Sequence, residues 1–319
     1  MIKGIVGVDI GGTNTVIGLF NQDLTLLEKK SLPTLKPNFP AKTNKPVEFL
    51  DELAEEINAL IVKNDYQNKV ECVGIGVPGI VNPESGIVIN AVNLGYQDVP
   101  FAEEMKSRLA LPTFIDNDVR TYTRGEVAVG AGAGLENVIC LTLGTGMAAG
   151  IMIDGKMIPG ANYFAGEIGH DPVPGNDTVC NCGNIGCLET IASASGIARL
   201  AKQAIQLGKP TILNGLAGEI NAKEVYEASV KGDQVAIEVF KEVATTLGFK
   251  LLSATYLVNP EVIIIGGGVA AAGHFITDPI KEIFEKYYIN EKKPLIVTGE
   301  LGDSAGLIGA ASLARAKHF

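Results

Sequence analysis

A strand, a glycine-rich turn and a second strand follow one another near the start of the chain, in Ile5-Val-Gly-Val-Asp9-Ile-Gly11-Gly12-Thr13-Asn-Thr-Val-Ile-Gly18-Leu-Phe20. The same plan returns about 133 residues later, in Val138-Ile-Cys-Leu-Thr142-Leu-Gly144-Thr145-Gly146-Met-Ala-Ala-Gly150-Ile-Met-Ile153. Asp154-Gly155 then gives a two-residue hairpin signal. Two similar units predict two similar lobes.

Helices and strands alternate between and after these units. Apolar residues recur at helical spacing after Pro46, and Val70 to Val77 is typical of a buried strand leading to Gly79. A short strand at Thr113 to Ile115 follows, and Asp118 then opens a helix. In the second half we predict helices at 195–207, 221–230 with an Asn221/Glu224 capping box, 233–256 and about 306–316, and a strand at 261–265. The fold class is therefore α/β with mixed sheets.

The charge balance limits the partners. The chain has 319 residues, of which 36 are acidic and 26 basic, for a formal net charge of −10. No Lys/Arg cluster could follow a phosphate backbone, which argues against nucleic acid and against an anionic membrane. A small anion chelated by magnesium is compatible with this charge. The first residues show no signal peptide and the least polar windows are too short to span a membrane, so we expect a cytoplasmic, reduced protein.

Both glycine turns have the features of an anion site. The loops Asp9-Ile-Gly11-Gly12-Thr13 and Gly144-Thr145-Gly146 allow close backbone approach, present successive N–H groups and add a threonine hydroxyl. Neither contains the lysine of a Walker A motif, so phosphate charge would be met by N–H dipoles and magnesium, with Asp9 as a water-mediated anchor. A single turn could be an ordinary hairpin. The duplication favours a polyphosphate.

Two further features fit a nucleotide-dependent transfer. Gly266-Gly267-Gly268 lies too near the chain end for a dinucleotide fold, and a glycine shelf under adenine or ribose is the better interpretation. Asp118 is the candidate base, because phosphoryl transfer to a hydroxyl needs a carboxylate that accepts the hydroxyl proton. A helix N-cap is the alternative role for an aspartate at this junction.

Three of the five cysteines and one of the three histidines fall close together, at His170, Cys180, Cys182 and Cys187. Such residues could supply the four ligands of a closed tetrahedral zinc site. A disulfide is disfavoured because Cys180 and Cys182 are too close to pair easily, and inert buried thiols do not usually cluster among Asn and Gly. Glu167 and Glu189 flank the cluster. A zinc would hold these two carboxylates in place for a polyhydroxyl ligand.

The chain contains, in this order, the motifs Asp9-Ile-Gly-Gly-Thr13, Gly76-Val-Pro-Gly79, Asn93-Leu-Gly-Tyr96, Asn117-Asp118, Leu143-Gly-Thr-Gly146, Glu167-Ile-Gly-His170, Cys180-x-Cys182-x4-Cys187-x-Glu189 and Ile265-Gly-Gly-Gly268. Their order resembles that in the ROK family of sugar kinases, and it is most similar to that in the family's bacterial glucokinases. The resemblance runs from about residue 4 to the C-terminal helix. It implies a two-lobed actin/hexokinase-like fold, which is a duplicated ribonuclease H-like fold, with ATP between the lobes and a sugar in the cleft.

The resemblance also implies roles for single residues. Asp118 would be the catalytic base, and the sugar contacts would be Gly79, Asn93, Asn117, Glu167, His170 and Glu189. ATP would be bound by Asp9, Gly11, Gly12, Thr13, Gly144, Thr145, Gly146, Gly267 and Gly268. The zinc ligands would be His170, Cys180, Cys182 and Cys187, so His170 would give one ring nitrogen to zinc and the other to the sugar. Met147-Ala148-Ala149 and Tyr96 depart from the pattern common in the family.

The predicted domains are a small α/β domain at 1–118 and a large α/β domain at 119–302 that carries the zinc site. The C-terminal helix, at about 303–319, is expected to pack back onto the small domain. Because relatives are commonly dimers or tetramers, we expect a homodimer or homotetramer. Loss of the metal is expected to leave ATP binding nearly unchanged, since the ATP loops lie elsewhere in the sequence.

The implied reaction is ATP-dependent phosphorylation of a hexose, with glucose to glucose 6-phosphate favoured. Mannose, N-acetylmannosamine, allose and fructose differ by single substituents and stay open. Two other classes are a sugar-responsive repressor and a catalytically silent sugar-binding module. Repressors of the family carry a helix-turn-helix domain ahead of the first lobe, whereas here the first strand begins within a few residues of Met1. Asp9 and Asp118 argue against a silent module.

Overall fold

The chain divides into two compact units in the computed structural model, which describes residues 3–34, 46–216 and 218–319. The first unit comprises Met1–Gly134, Pro159–Ala165 and Asp303–Phe319, and the second comprises Leu135–Ile158 and Gly166–Gly302. Among the described residues, none of the helices has both the length and the apolar character that a bilayer crossing requires.

The strands of the first unit form two sheets. In chain order they are β1 (Gly4–Ile10), β2 (Asn14–Asn21), β3 (Leu26–Pro33), β4 (Val70–Val77), β5 (Ile80–Asn82), β6 (Ile87–Ala91), β7 (Tyr96–Val99) and β8 (Thr113–Asn117). The main sheet has the order β3-β2-β1-β4-β8, in which β1 is antiparallel to β2 and parallel to β4, and β4 is parallel to β8. Strands β5, β6 and β7 form a small antiparallel sheet.

The helices of the first unit are α1 (Val47–Lys63), α2 (Phe101–Leu109), α3 (Asp118–Val129) and the C-terminal helix (Ala305–His318). Two glycines let the C-terminal helix approach its neighbours. A Cβ at Gly74 of β4 would lie 1.8 Å from Ala310 O, and a Cβ at Gly309 would lie 1.6 Å from Thr121 O of α3. Because α3 packs on this helix, the first unit extends to Gly134, whereas the sequence placed the boundary after Asp118.

The second unit repeats the plan of the first. Its strands are β9 (Val138–Leu143), β10 (Met147–Ile153), β11 (Lys156–Met157), β12 (Val262–Gly266) and β13 (Leu295–Thr298). They have the order β11-β10-β9-β12-β13, with β9 antiparallel to β10 and parallel to β12, and β12 parallel to β13. The two main sheets therefore share strand order and direction, which confirms the duplication predicted from the sequence.

The helices of the second unit are α4 (Glu189–Ala192), α5 (Ala194–Gln206), α6 (Ala222–Val230), α7 (Gln234–Val258) and α8 (His274–Tyr287). Short 3₁₀ helices lie at Val92–Leu94 in the first unit and at Ile168–His170, Ile212–Gly215 and Gly268–Ala272 in the second, and one spans Gly302–Ser304. Buried residues of α7 and α8 pack with β9 and β12 in the core of the second unit, as Leu247, Leu251 and Ile280 illustrate. The α/β class with mixed sheets is confirmed.

Candidate active site and metal centre

The turn between β1 and β2 is the first predicted phosphate loop. The N–H of Gly11 donates to Asn14 O (2.9 Å), and Gly12 and Thr13 are exposed. Thr34, the residue after β3, supports the loop: its N–H donates to Thr13 O (2.8 Å) and its hydroxyl donates to Gly11 O (2.9 Å). The loop is thus held from behind while its tip faces solvent. The sequence reading did not single out Thr34.

Asp9 lies beside this loop, in β1. Gly306, in the first turn of the C-terminal helix, comes so close that a Cβ there would be 2.5 Å from Asp9 Oδ2. Burial, with a smaller contribution from the nearby Asp303 carboxylate, raises the pKa of Asp9 from 3.8 to about 6. At neutral pH the ionised carboxylate therefore lowers the stability of the fold, which is common at functional sites.

Replacing Asp9 by Asn should stabilise the fold at neutral pH. Folding raises the pKa of Asp9, so its contribution to stability falls as the pH rises from about 4 to about 6. The substitution removes this cost, and we expect a gain of about 1 to 3 kcal/mol in the free energy of unfolding near pH 7.5 and little gain near pH 4. Urea titrations at both pH values measure the change in the free energy of unfolding, and Asp23→Asn, at an exposed aspartate, is the control. Equal gains at the two pH values would contradict the assignment.

The turn between β9 and β10 is the second predicted phosphate loop. The N–H of Gly144 donates to Gly146 O (2.9 Å), and its carbonyl accepts from Ala194 N at the start of α5 (2.9 Å). Gly267 supports the turn from behind. It has φ +78°, and a Cβ there would lie 2.4 Å from Leu143 O, so glycine is required on both grounds.

A cavity of about 590 Å³ opens beside this loop, at Gly144 and Thr145. Gly268 lines it from the 3₁₀ helix, and Tyr226 of α6 and Phe240 of α7 line it from the helical side. The volume is that of a small-molecule site, and the walls are mostly apolar next to a loop of backbone donors. This combination suits a flat heterocycle whose anionic part reaches the loop.

Asp118 is the first residue of α3, and Asn117 is the cap of that helix. The Asn117 side chain accepts hydrogen bonds from Val119 N (3.0 Å) and Arg120 N (3.1 Å), which are the cap contacts. Asn117 Nδ2 donates to Asp118 Oδ1 (2.8 Å) and to the carbonyl of Gly79 (3.0 Å). The alternative that Asp118 is only an N-cap is therefore wrong, because its neighbour has that role.

A buried ion pair lies directly behind Asp118. Arg120 and Asp116 are 3% and 1% exposed, and Arg120 Nε donates to Asp116 Oδ1. Arg120 also donates to the carbonyls of Val81 (3.0 Å) and Tyr163 (3.5 Å), and Asp116 Oδ1 accepts from Asn117 N (2.8 Å). Removing Asp116 would leave the buried Arg120 without its carboxylate, at a cost of about 3 to 5 kcal/mol. The sequence reading missed this pair, although the i, i+4 spacing of Asp116 and Arg120 is a usable signal.

The four predicted metal ligands come together in the second unit. One ligand atom from each of His170, Cys180, Cys182 and Cys187 lies within 4.8 Å of all the others. All five cysteines of the chain are described and are free thiols, and Cys182 Sγ lies 3.7 Å from Cys187 Sγ. The disulfide alternative is therefore excluded for this structure. A tetrahedral zinc with Zn–S bonds of about 2.3 Å would hold two sulfurs about 3.8 Å apart.

The local structure explains the cluster. Isolated β-bridges join Pro172 to Cys187 and Val179 to Ile185, so the chain folds back on itself around the thiols. A backbone hydrogen bond from Asn184 is the main cause that lowers the pKa of Cys182, as a thiolate ligand requires. His170 Nδ1 is buried and has no hydrogen-bond partner among the described residues. An orphaned imidazole nitrogen beside three thiols fits a metal.

Glu167 and Glu189 lie against this cluster. Glu167 Oε2 is 3.8 Å from His170 Nε2, the ring nitrogen opposite the orphaned one. Glu189, the first residue of α4, accepts from Met147 N (2.9 Å) with Oε2, and its Oε1 lies 3.6 Å from Cys180 Sγ. Glu189 thus connects the thiol cluster with the residue that follows the Gly144–Gly146 loop.

Within each unit the predicted residues form groups. In the first unit Gly79, Asn117 and Asp118 are joined by hydrogen bonds, while Asn93 lies exposed in the 3₁₀ helix Val92–Leu94. In the second unit the thiol cluster, the two glutamates and the loop form one connected group, and Gly267 and Gly268 lie at the loop and its cavity. The roles of all these residues stay predictions.

The chain has relatives over nearly its whole length. A glucokinase of Halalkalibacterium halodurans is 36% identical over 97% of this chain and 94% of its own length. A solved ROK family glucokinase from Streptomyces griseus, in complex with glucose and AMPPNP, matches with a TM-score of 0.77 and 33% identity, over 98% of this chain and 99% of that one. A solved ROK family transcriptional regulator, described as a homologue of an Escherichia coli protein, matches with a TM-score of 0.87 and 26% identity over 98% and 78%.

These matches confirm that the duplicated sheets belong to the two-lobed actin/hexokinase-like fold of sugar kinases. The model of the ROK family covers residues 5–317. This chain belongs to the ROK family, and the resemblance read from its motifs is confirmed.

Proposed function

We propose that this protein transfers the γ-phosphoryl group of ATP to a hexose, and that the hexose is glucose, which gives glucose 6-phosphate. The observation that carries the proposal is Asp118, whose carboxylate is held by Asn117 at the end of β8. Relatives at 36% and 31% identity that are named glucokinases support the substrate. Other hexoses and N-acetylhexosamines are the alternatives.

Asp118 would act as general base on the sugar hydroxyl. Its Oδ1 accepts from Asn117 Nδ2 (2.8 Å) and from the backbone N–H of Val119 (3.0 Å), which fixes the plane of the carboxylate. A base held in one orientation can accept the hydroxyl proton as the oxygen attacks the γ-phosphorus. The Asp116–Arg120 pair supports this segment from the buried side.

The nucleotide would be bound by the two glycine loops and the cavity. Two loops, Gly11–Thr13 and Gly144–Gly146, would each donate N–H and hydroxyl groups to phosphate oxygens. The adenosine would occupy the 590 Å³ cavity on the shelf of Gly267 and Gly268. Magnesium, when bound, would neutralise phosphate charge, and Asp9 would anchor it through water.

The cluster of His170, Cys180, Cys182 and Cys187 would hold a structural zinc ion. Its donor set and the 3.7 Å sulfur separation fit tetrahedral zinc. With Nδ1 given to the metal, His170 Nε2 would carry a proton and donate to a sugar hydroxyl, beside Glu167 and Glu189 as acceptors. We place the reaction in the cytoplasm, where ATP is available and thiols stay reduced.

The proposal is tested by initial rates with magnesium and ATP over glucose, mannose, allose, fructose, N-acetylmannosamine and 6-deoxyglucose. We expect turnover to be highest with glucose and to disappear in magnesium-free buffer, which leaves a tightly bound zinc in place. 6-Deoxyglucose should compete with glucose without being phosphorylated, because the accepting hydroxyl is at carbon 6. Sugar binding without ATP turnover for any sugar would favour a regulator. Phosphorylation of 6-deoxyglucose would overturn the position of transfer.

A further inference from the structure

A polar groove of about 700 Å³ lies beside the proposed nucleotide cavity in the second unit. Glu219 and Asn221, which precede α6, line it from one side. The other side is one face of α5, whose opposite face is buried in the core with Ile197 and Ala201. The polar residues that α5 contributes to the groove are Ser195, Arg199, Lys202, Gln203 and Gln206. None of these α5 side chains has a role in the reaction proposed above.

The polar groove is positively charged, although the whole chain has a net charge of −10. Among its described lining residues Arg199 and Lys202 are cationic, and Glu219 is the single carboxylate. Lys202 Nζ lies 3.2 Å from Glu219 Oε1, but the two side chains are 42% and 87% exposed. Such an exposed ion pair is weak, so Lys202 is available to another anion. The groove therefore favours an anionic ligand.

Arg199 provides an unused hydrogen-bond donor. Its Nη2 donates to Thr190 O (3.0 Å), which holds the guanidinium in one orientation. Its Nε is buried and has no hydrogen-bond partner among the described residues. A buried N–H without a partner is costly, and a guanidinium binds phosphate through parallel hydrogen bonds. Arg199 thus has the position and the free donor that a phosphate site requires.

The polar groove adjoins the nucleotide cavity, because Thr145, Ala194 and Ala222 line both. The apolar cavity suits the heterocycle of a nucleotide, and the Gly144–Gly146 loop suits its 5′-phosphates. The ribose joins these two parts, so it would lie at Thr145. One side of the ribose would then face the groove, and a group on its 2′ or 3′ oxygen would extend toward Arg199.

We propose that the polar groove binds a phosphate group carried by the ribose of a nucleotide that occupies the ATP cavity. This inference rests on the proposed function and extends it. The ligand class is the nucleoside bisphosphates, which carry one phosphate at the 5′ position and another at the 2′ or 3′ position. Such a nucleotide binds more tightly than the corresponding monophosphate. It competes with ATP, so phosphoryl transfer slows as its concentration rises.

The test is calorimetric titration with adenosine 5′-monophosphate (AMP), adenosine 2′,5′-bisphosphate, adenosine 3′,5′-bisphosphate and ADP, which is an isomer of both bisphosphates. In wild type one bisphosphate should bind about 10- to 100-fold more tightly than AMP, the gain expected of charge-assisted hydrogen bonds. Arg199→Gln and Lys202→Gln should each reduce this gain by about fivefold or more, without changing the affinity for AMP or ADP. Lys209→Gln is the control, because it removes the same charge at an exposed lysine outside the groove. It should leave all of these affinities unchanged.

The outcomes separate this proposal from the proposed function. If AMP and ADP bind but neither bisphosphate binds more tightly than AMP, the groove is not a phosphate site and the ATP cavity stands. A gain that survives both substitutions would refute the proposal in the same way. If none of the nucleotides binds, the assignment of the ATP cavity is wrong and both proposals fail. Because Arg199 also supports Thr190, circular dichroism checks its fold, and the exposed Lys202→Gln gives the same test without that contact.

Discussion

Replacing Asp118 by Asn is expected to lower kcat by about 10² to 10⁴-fold while the affinity for the sugar stays within a few-fold. Asn keeps the shape of the side chain and can still accept from Asn117 and Val119. It cannot take the proton of the attacking hydroxyl, so the loss falls on the transition state. Initial rates give kcat, and sugar titration followed by intrinsic fluorescence gives the affinity.

Asp233→Asn is the matched control, because Asp233 is the cap of α7 and accepts from Ala236 N (2.9 Å) and Ile212 N (2.8 Å). This variant should keep its kcat and nearly all of its stability, because Asn caps a helix about as well as Asp does. Asp118→Asn should lose kcat with a nearly unchanged melting temperature. Near-normal turnover of folded Asp118→Asn would falsify the assignment of the base.

Elements whose signals are local were predictable from the sequence. The helix predicted at 221–230 is Ala222–Val230, and its capping box between Asn221 and Glu224 is present. The helix predicted at 233–256 is Gln234–Val258, capped by Asp233. In both helices the cap residue and the apolar spacing act within a few residues, so a reading of the chain alone finds them. The two glycine turns were found for the same reason.

Elements that depend on tertiary packing were missed. Helix α8 contains Pro279, which usually ends a helix, and only the burial of Ile276, Ile280 and Phe284 in the core shows why the helix continues. The β5–β7 sheet has strands of three to five residues, too short for a clear alternation of apolar and polar positions. The boundary of the first unit likewise depends on the packing of α3 on the C-terminal helix, which lies far along the chain.

The candidate site shows the same difference between local signals, which were predictable from the sequence, and tertiary contacts, which were not. The thiols of Cys180, Cys182 and Cys187 were grouped correctly because they are close in sequence, and the structure brings His170 to them. The contact between Glu189 and Met147 N joins residues 42 positions apart, which no local pattern reveals. That contact changes one expectation. The sequence predicts that ATP binding changes little when the metal is lost, whereas Glu189 contacts both the thiol cluster and the residue that follows the Gly144–Gly146 loop.

Replacing Cys182 by Ala should release the proposed zinc ion and lower sugar affinity and turnover by about 10- to 100-fold or more. Cys182 is exposed, so the substitution removes a ligand without opening a cavity in the core. Without the proposed metal, His170 and Cys180 would no longer be bound to one ion. Glu167 and Glu189 would then lose the support that fixes their positions. Elemental analysis should find about one zinc per chain in wild type and far less in the variant. Titration with glucose measures the loss of affinity.

The affinity for the nucleotide distinguishes a metal that positions the binding residues from a metal that only stabilises the fold. Because Glu189 Oε2 accepts from Met147 N and its Oε1 lies 3.6 Å from Cys180 Sγ, loss of the metal should loosen the loop and weaken ATP binding by a few-fold, less than sugar binding. Cys72→Ala is the control, since Cys72 is a fully buried core residue of β4. It should cost stability but keep zinc and both affinities. Zinc-free wild type with full activity would contradict both the ligand assignment and the supporting role, because it would show that the two glutamates do not need the metal to keep their positions.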